Sequence, residues 1–193
     1  FKGYGGFPAS ACVSVNEVIV HGIPSKSKKL REGDIVSVDA GAIYQGWYSD
    51  MARTYAVGEI SPEAAKLVRV TEESFFEGLK YCVAGNYLSD VSHAIQVHLE
   101  SNGFGVIRDY VGHGLGREMH EQPPVPNYGR PGRGPKLKKG MVLAIEPMVS
   151  AGSYAVKVLP DEWTAVTGDG SLAAHYENTV VITDAEPLVI TLL

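Results

Sequence analysis

Sorted by the spacing of its apolar positions, the chain has a helical middle set between two strand-rich parts. From 61 to 102 the period is helical. Ser61-Pro62-Glu63 combines a hydroxyl able to cap, a proline suited to the first helical position and an acid in the first turn. Ala64, Val68, Phe75, Leu79 and Val83 then hold one stripe until Gly85 stops it. Ser89-Asp90 opens a second helix, in which Val91, Ile95 and Leu99 recur every four residues and Asn102-Gly103 marks the end. Elsewhere the pattern is that of strands. DIVSVDAGAIY, GWYSDMARTYAV, GFGVIRDYV, GMVLAIEPMV and ENTVVIT carry β-branched and aromatic residues between Gly and Pro punctuation, and the opening FKGYGGFP reads as an apolar strand segment.

The two strand-rich parts are copies. His21-Gly22-Ile23-Pro24 precedes Leu30-Arg31-Glu32-Gly33, the run DIVSV and Asp39; His113-Gly114-Leu115-Gly116 precedes Leu137-Lys138-Lys139-Gly140, the run MVLAI and Glu146. Leucine to glycine is three residues and glycine to acid is six in both. A second acid follows each time, Asp50 in SDMARTYAV and Glu177 in YENTVVIT, with a threonine close behind. One strand-end acid alone reads as solvated. Two at identical offsets, each below a His-Gly turn, point to halves of about 1–58 and 59–193 that pair two-fold and bring four carboxylates to one centre. Four adjacent carboxylates in a partly buried site cannot all stay ionised without cations, and two divalent ions cancel them. Oxygen ligands with a single imidazole suit Mn, Fe, Co or Zn.

Composition narrows the class. With 193 residues, 45% apolar and 20% charged, the chain can bury a substantial core as one domain. A net charge of -5 argues against a nucleic-acid or anionic-membrane surface, and the one basic run, Lys26 to Arg31, reads as a solvated turn. There is no membrane-length apolar run and no signal-peptide pattern, so the expected compartment is the cytoplasm. Cys12 and Cys82 fit a reduced chain, each as a small buried hydrophobe. The start at Phe1 rather than Met suggests a chain cut from something longer. In YVGHGLGREMHEQPPVPNYG, His113 and His120 stand seven apart among glycines that favour an extended chain, and Pro123 and Pro124 rule out a helical H-E-x-x-H zinc pattern. His93 and His98 read as ordinary helix histidines.

The stretches GGFPASACVSVNEVIVHGIP, SVDAGAIYQGWYSD, YVGHGLGREMHEQP, LAIEPMV and AAHYENTVVIT resemble, in order and spacing, the type I methionine aminopeptidases of the bacterial kind, members of the M24 metallopeptidase family. The resemblance covers essentially the whole chain. It implies an α+β "pita-bread" fold, an antiparallel curved sheet backed by helix pairs with pseudo-two-fold halves. It implies two divalent ions (Co, Mn, Fe or Zn) held by Asp39, Asp50, His113, Glu146 and Glu177, with Asp50 and Glu177 bridging, Asp39 on one ion and His113 and Glu146 on the other. A hydroxide between the ions would attack the amide, Glu146 would carry its proton to the leaving amine, His120 would stabilise the oxyanion and His21 would contact the substrate near the leaving side. Tyr4, Phe7, Cys12 and Trp163, with His21 and His120, would form the substrate pocket for a flexible thioether; taken alone, those first four read as core packing. Cys12 is expected to react with thiol reagents. The implied activity is removal of the initiator methionine before a small second residue by a cytoplasmic monomer, with nascent polypeptide N-termini, and through them the ribosome, as partners.

The sequence departs from that family in three places. The helical hairpin that precedes the position of Phe1 in type I enzymes is absent, Met119 stands where some relatives have phenylalanine, and His175 stands where a glutamine is familiar. His175 reads either as a partner to the ligand Glu177 or as a solvated histidine. Two rival functions share the pattern: a prolidase or Xaa-Pro aminopeptidase, disfavoured by the wording I-E-P-M, and a metal-free binding module, disfavoured because all five ligand positions are filled.

Overall fold

A computed structural model describes residues 1–192. A 3-10 turn at Tyr4–Gly6 leads into β1 (Cys12–Val15), β2 (Val18–Val20), β3 (Ile35–Tyr44) and β4 (Trp47–Ala56), followed by α1 (Pro62–Leu79) and α2 (Leu88–Ser101). The remainder supplies β5 (Gly105–Val106), β6 (Gly112–Gly114), β7 (Glu121–Val125), β8 (Val142–Ile145), β9 (Met148–Ser150), β10 (Val156–Val158), β11 (Ala165–Thr167), β12 (Ala173–His175), β13 (Glu177–Val181) and β14 (Leu188–Val189). The main sheet is antiparallel in the order β1-β3-β4-β13-β8-β6-β7, with β14 on β13. Two three-stranded sheets, β10-β11-β2 and β12-β9-β5, stand beside it. β7 carries Pro123 and Pro124 and lies at the sheet's edge, where a strand can lack N–H donors without cost.

Both helices form near their predicted bounds. The Ser61 hydroxyl accepts from the Ala64 N–H at 3.1 Å, and at α2 the cap is the Asp90 carboxylate accepting from the Tyr87 N–H at 2.9 Å rather than Ser89. The α1 stripe differs from the predicted one. Leu67, Thr71, Ser74 and Gly78 share the buried face, and the helix ends at Leu79 because Val83 bridges to Thr183 and the Ala84 N–H donates to Thr183 O. At Gly78 a Cβ would lie 2.7 Å from Ile95 Cγ1, so this glycine sets the close crossing of the two helices. Leu67, Phe75, Val91, Ile95 and Leu99 pack with Leu143, Ile145 and Val180 of the sheet into the main core.

Three strand expectations are corrected. FKGYGGFP is a turn, since Gly3, Gly5 and Gly6 have φ of 85°, 54° and 92°, which no strand contains. GFGVIRDYV pairs only over β5 before exposed Arg108 and Asp109 leave the sheet. GMVLAIEPMV is cut at Glu146-Pro147 into β8 and β9 of different sheets, because Pro147 offers no ladder donor.

The sequence repeat is a structural one. Gly33 and Gly140 both take positive φ, 93° and 87°, in matching turns where Asp34 N–H donates to Arg31 O and Met141 N–H to Lys138 O. Gly33 N–H then reaches Val57 O as Gly140 N–H reaches Ile182 O, and Val57 N–H returns to Asp34 O as Ile182 N–H returns to Met141 O.

Candidate metal centre

Five neighbouring strands each deliver one polar side chain to one cavity. In sheet order they are Asp39 on β3, Asp50 on β4, Glu177 on β13, Glu146 one residue past β8, and His113 on β6. The cavity, of about 160 Å³, is lined by these five and by Tyr4, Phe7, Cys12, His21, His120 and Trp163, with Phe1 and Met119 completing the wall. Glycines flank His113 because the chain there has no room: a Cβ on Gly112 would lie 2.3 Å from Ala144 O, and one on Gly114 would lie 2.3 Å from Gln122 O.

Pairing across the two halves relates different residues from those the motifs align. Asp39 faces Ala52, and Ile145 faces Asn178, so Glu146, one step on, falls opposite Glu177. Matching Asp39 with Glu146 therefore matches Ala52 with Glu177 and Asp50 with His175. The second acids are not copies of each other. Two threonines make the same statement. Thr179 Oγ1 accepts from the Asp50 N–H at 3.0 Å and donates to Asp50 O at 2.8 Å; Thr54 Oγ1 accepts from the His175 N–H and donates to His175 O, both at 2.9 Å. Each half staples the other half's counterpart residue.

The carboxyls are poorly solvated. Asp50 is 5% exposed and Glu177 2%. Asp39 is more open as a residue, yet its Oδ1, like Glu177 Oε1, is sealed from solvent without a hydrogen-bond partner. Burial, then the charge of Asp50, pushes Asp39, Glu146 and Glu177 well above the usual carboxylate range, and burial raises Asp50 to about 6. Burial also lowers His113 and His21 to about 4, leaving both imidazoles neutral at neutral pH. The His113 Nδ1 lies 2.9 Å from Gly114 O, and since a carbonyl can only accept, Nδ1 carries the proton and Nε2 keeps a lone pair. That Nε2 lies 3.6 Å from Glu146 Oε1. Atoms of Asp50, His113 and Glu177 come within 4.8 Å of one another. Orphaned carboxylate oxygens and an imidazole lone pair converging on one point are short of positive charge, and divalent cations fit them.

One wall of the cavity is apolar and aromatic. Phe7 and Trp163 meet edge to face with centroids 5.2 Å apart, beside buried Cys12 and Met119. Tyr4 Oη lies 2.6 Å from His120 Nδ1, and the His113 and His120 rings are 4.2 Å apart between centroids. Cys12 is 3% exposed, and burial drives its thiol well above the ordinary range, so the expected reactivity toward thiol reagents is corrected: this sulfur is a packed neutral group. His93 and His98 stand away from the cavity, His98 Nε2 at 3.2 Å from Glu73 and His93 Nδ1 at 3.0 Å from Gly129 O. His175 is not solvated but 2% exposed, and its Nε2 is nearer Glu146 than Glu177.

Sequence reasoning overlooked the supports. Arg53 donates to the carbonyls of Ala52 and Glu177 and to Asn178 Oδ1, and stacks 4.1 Å over the Tyr176 ring, while buried Asn127 donates to Glu146 O at 2.9 Å. The threonine repeated after each second acid was the one sequence signal for this layer.

A curved antiparallel sheet that sinks four carboxylates and an imidazole into one cavity beside an apolar slot is the ground plan of a metal-dependent hydrolase. The model of "Metallopeptidase family M24" matches residues 2–184. The "Methionine aminopeptidase" of Clostridium acetobutylicum is 67% identical over 192 residues, 100% of this chain and 77% of that protein. The "Methionine aminopeptidase 1" of Bacillus subtilis is 56% identical over 184 residues, 95% of this chain and 74% of that protein. The crystal structure of methionine aminopeptidase from Thermotoga maritima superposes with a TM-score of 0.97 at 58% identity, covering 99% of this chain and 77% of that one. A prolidase from Pyrococcus horikoshii, 24% identical with a TM-score of 0.75, shares the fold. The chain belongs to metallopeptidase family M24, among the methionine aminopeptidases of the bacterial type, and the fold is the pita-bread fold.

Proposed function

We propose that this chain hydrolyses the peptide bond after an N-terminal methionine, and that the cavity described above is where it does so. The observation that carries the reading is the convergence of five candidate ligands from adjacent strands beside the slot formed by Phe7, Cys12 and Trp163. Asp39, Asp50, Glu146 and Glu177, with His113 through its free Nε2, would hold two divalent ions. When bound, such ions acidify water and polarise a carbonyl. Glu146 would take the proton from the attacking water and deliver it to the departing amine, its carboxylate lying in the cavity beside His113. His120 is read as the tautomer that accepts from the Tyr4 hydroxyl across the 2.6 Å contact at Nδ1, which leaves an Nε2–H to face the developing oxyanion. His21, edge-on to Trp163 with centroids 6.4 Å apart, is read as touching the substrate on the leaving side.

The thioether of methionine suits the slot, being flexible and polarisable. We read the substrates as nascent polypeptide N-termini with a small second residue, met in the cytoplasm by a monomeric single-domain enzyme, with the ribosome as the site of encounter. Among the described residues no helix is long and apolar enough to cross a membrane. Metal-loaded protein should release methionine from Met-Gly-Met and leave Xaa-Pro peptides uncut. Preferential cleavage of Xaa-Pro bonds would transfer the chain to the prolidase-like branch, and no hydrolysis with Mn or Co supplied would leave only a binding role.

A further inference from the structure

We propose that His175 is a positioning residue of this centre, its Nε2–H donating to Glu146 and fixing the carboxylate through which the proton is carried. The inference rests on the role given to Glu146 above. The register puts His175 at the place that Asp50 occupies in the other half, and the paired threonines hold the two backbones alike. His175 is 2% exposed, and its Nε2 is sealed from solvent with no hydrogen-bond partner. The acidic oxygens nearest that nitrogen are Glu146 Oε2 at 3.5 Å and Glu177 Oε2 at 4.0 Å. With cations bound and the carboxylates ionised both are acceptors, so a lone pair on Nε2 would set base against base, whereas an N–H there satisfies nitrogen and carboxylate together.

The two oxygens of Glu146 thus face two different imidazoles. Oε1 faces His113 Nε2, whose proton is committed elsewhere and whose lone pair is free, and Oε2 faces His175. One imidazole is built as a ligand and the other as a donor. His113 lines the cavity and His175 the cleft formed with Arg53, Val68, Glu72 and Tyr176; His175 also lies close enough to Glu146 and Glu177 to share an ion with them, so the Co²⁺ spectrum decides between ligand and donor. The 3.5 Å separation exceeds a formed hydrogen bond, as catalytic hydrogen bonds in resting active sites commonly do before they tighten.

The test uses the full chain with His175→Gln, which keeps a donor of similar reach, and His175→Leu, which removes it at similar volume. Each protein is titrated with Co²⁺ by calorimetry, its visible absorption is recorded, and kcat and KM are measured on Met-Gly-Met. The expected result is unchanged Co²⁺ stoichiometry and an unchanged Co²⁺ spectrum in both variants. The leucine variant should lose about 10- to 100-fold in kcat, the size of a lost hydrogen bond to a charged group, with KM held within a factor of about two, and glutamine should restore kcat to within about threefold of the parent. A glutamine variant as slow as the leucine variant overturns the donor role. So does a Co²⁺ spectrum altered in either variant, which would make His175 a ligand. Absence of Co²⁺ binding by the parent protein would instead sink the reading of the whole centre.

Discussion

Removing the metals should reverse the way stability depends on pH. With no cation present, each buried acid of the cavity binds its proton more tightly folded than unfolded. For Asp50 the rise is from 3.8 to about 6. At about 1.4 kcal/mol per unit, this one group costs the folded state about 3 kcal/mol once pH has risen past its folded value. The sign follows from proton counts: between those two values the folded chain holds the proton and the unfolded chain does not, so stability is greatest below the lower one and falls as pH rises through the upper. Asp39, Glu146 and Glu177, pushed higher still, extend the loss through neutrality. Exposed acids such as Asp169, lowered to about 2 by its bonds to Ser171 and Ser153, act with the opposite sign but identically with or without metal, and cancel in the difference. The assay is thermal unfolding of chelator-stripped and Co²⁺-loaded protein from about pH 4.5 to 7. Because this window opens above the unfolded value, Asp50 alone accounts for about 2 kcal/mol of the loss across it, worth about 4 to 8 °C in a chain of this size, and the stripped protein should lose at least that much relative to the loaded one as pH rises. Parallel profiles for the two forms would refute the reasoning, because they would mean that no cation relieves these carboxyls.

Asp50→Asn and Glu177→Gln should each abolish turnover and lower the number of bound ions, measured by metal analysis after dialysis; near-normal activity would contradict bridging. His120→Ala should keep its metal content while kcat falls by about 100-fold or more, read from Met-Gly-Met hydrolysis. Loss of metal in that variant would mean the histidine roles are reversed. Gly112→Ala places a methyl 2.3 Å from Ala144 O and should destabilise the chain by about 3 kcal/mol in urea unfolding, so a neutral result would show that the strand does not pass as closely as described.

Much of the architecture was legible because this sequence repeats itself: the Leu-Gly-acid spacing around Gly33 and Gly140 encodes identical turns, and β3, β4 and β13 appear where β-branched runs announce them. Register was not legible. Motif order aligns Asp50 with Glu177, whereas the ladders align Asp50 with His175 and Ala52 with Glu177, since the two acids occupy strand positions two residues apart and the wording of a motif carries no register. The opening FKGYGGFP misled for a related reason: its apolar residues suggest a strand, but three glycines at positive φ fold it into the wall of the cavity. The supports provided by Arg53 and Asn127 act on backbone carbonyls across long chain separations, and no local pattern encodes such contacts.

Anomalous scattering from crystals grown with Mn²⁺ bears most directly on the claim that two duplicated halves form one dinuclear centre. Two peaks about 3.5 to 4 Å apart, enclosed by Asp39, Asp50, His113, Glu146 and Glu177, are the predicted result. Peaks elsewhere, or no density among those five side chains at saturating metal, would contradict it.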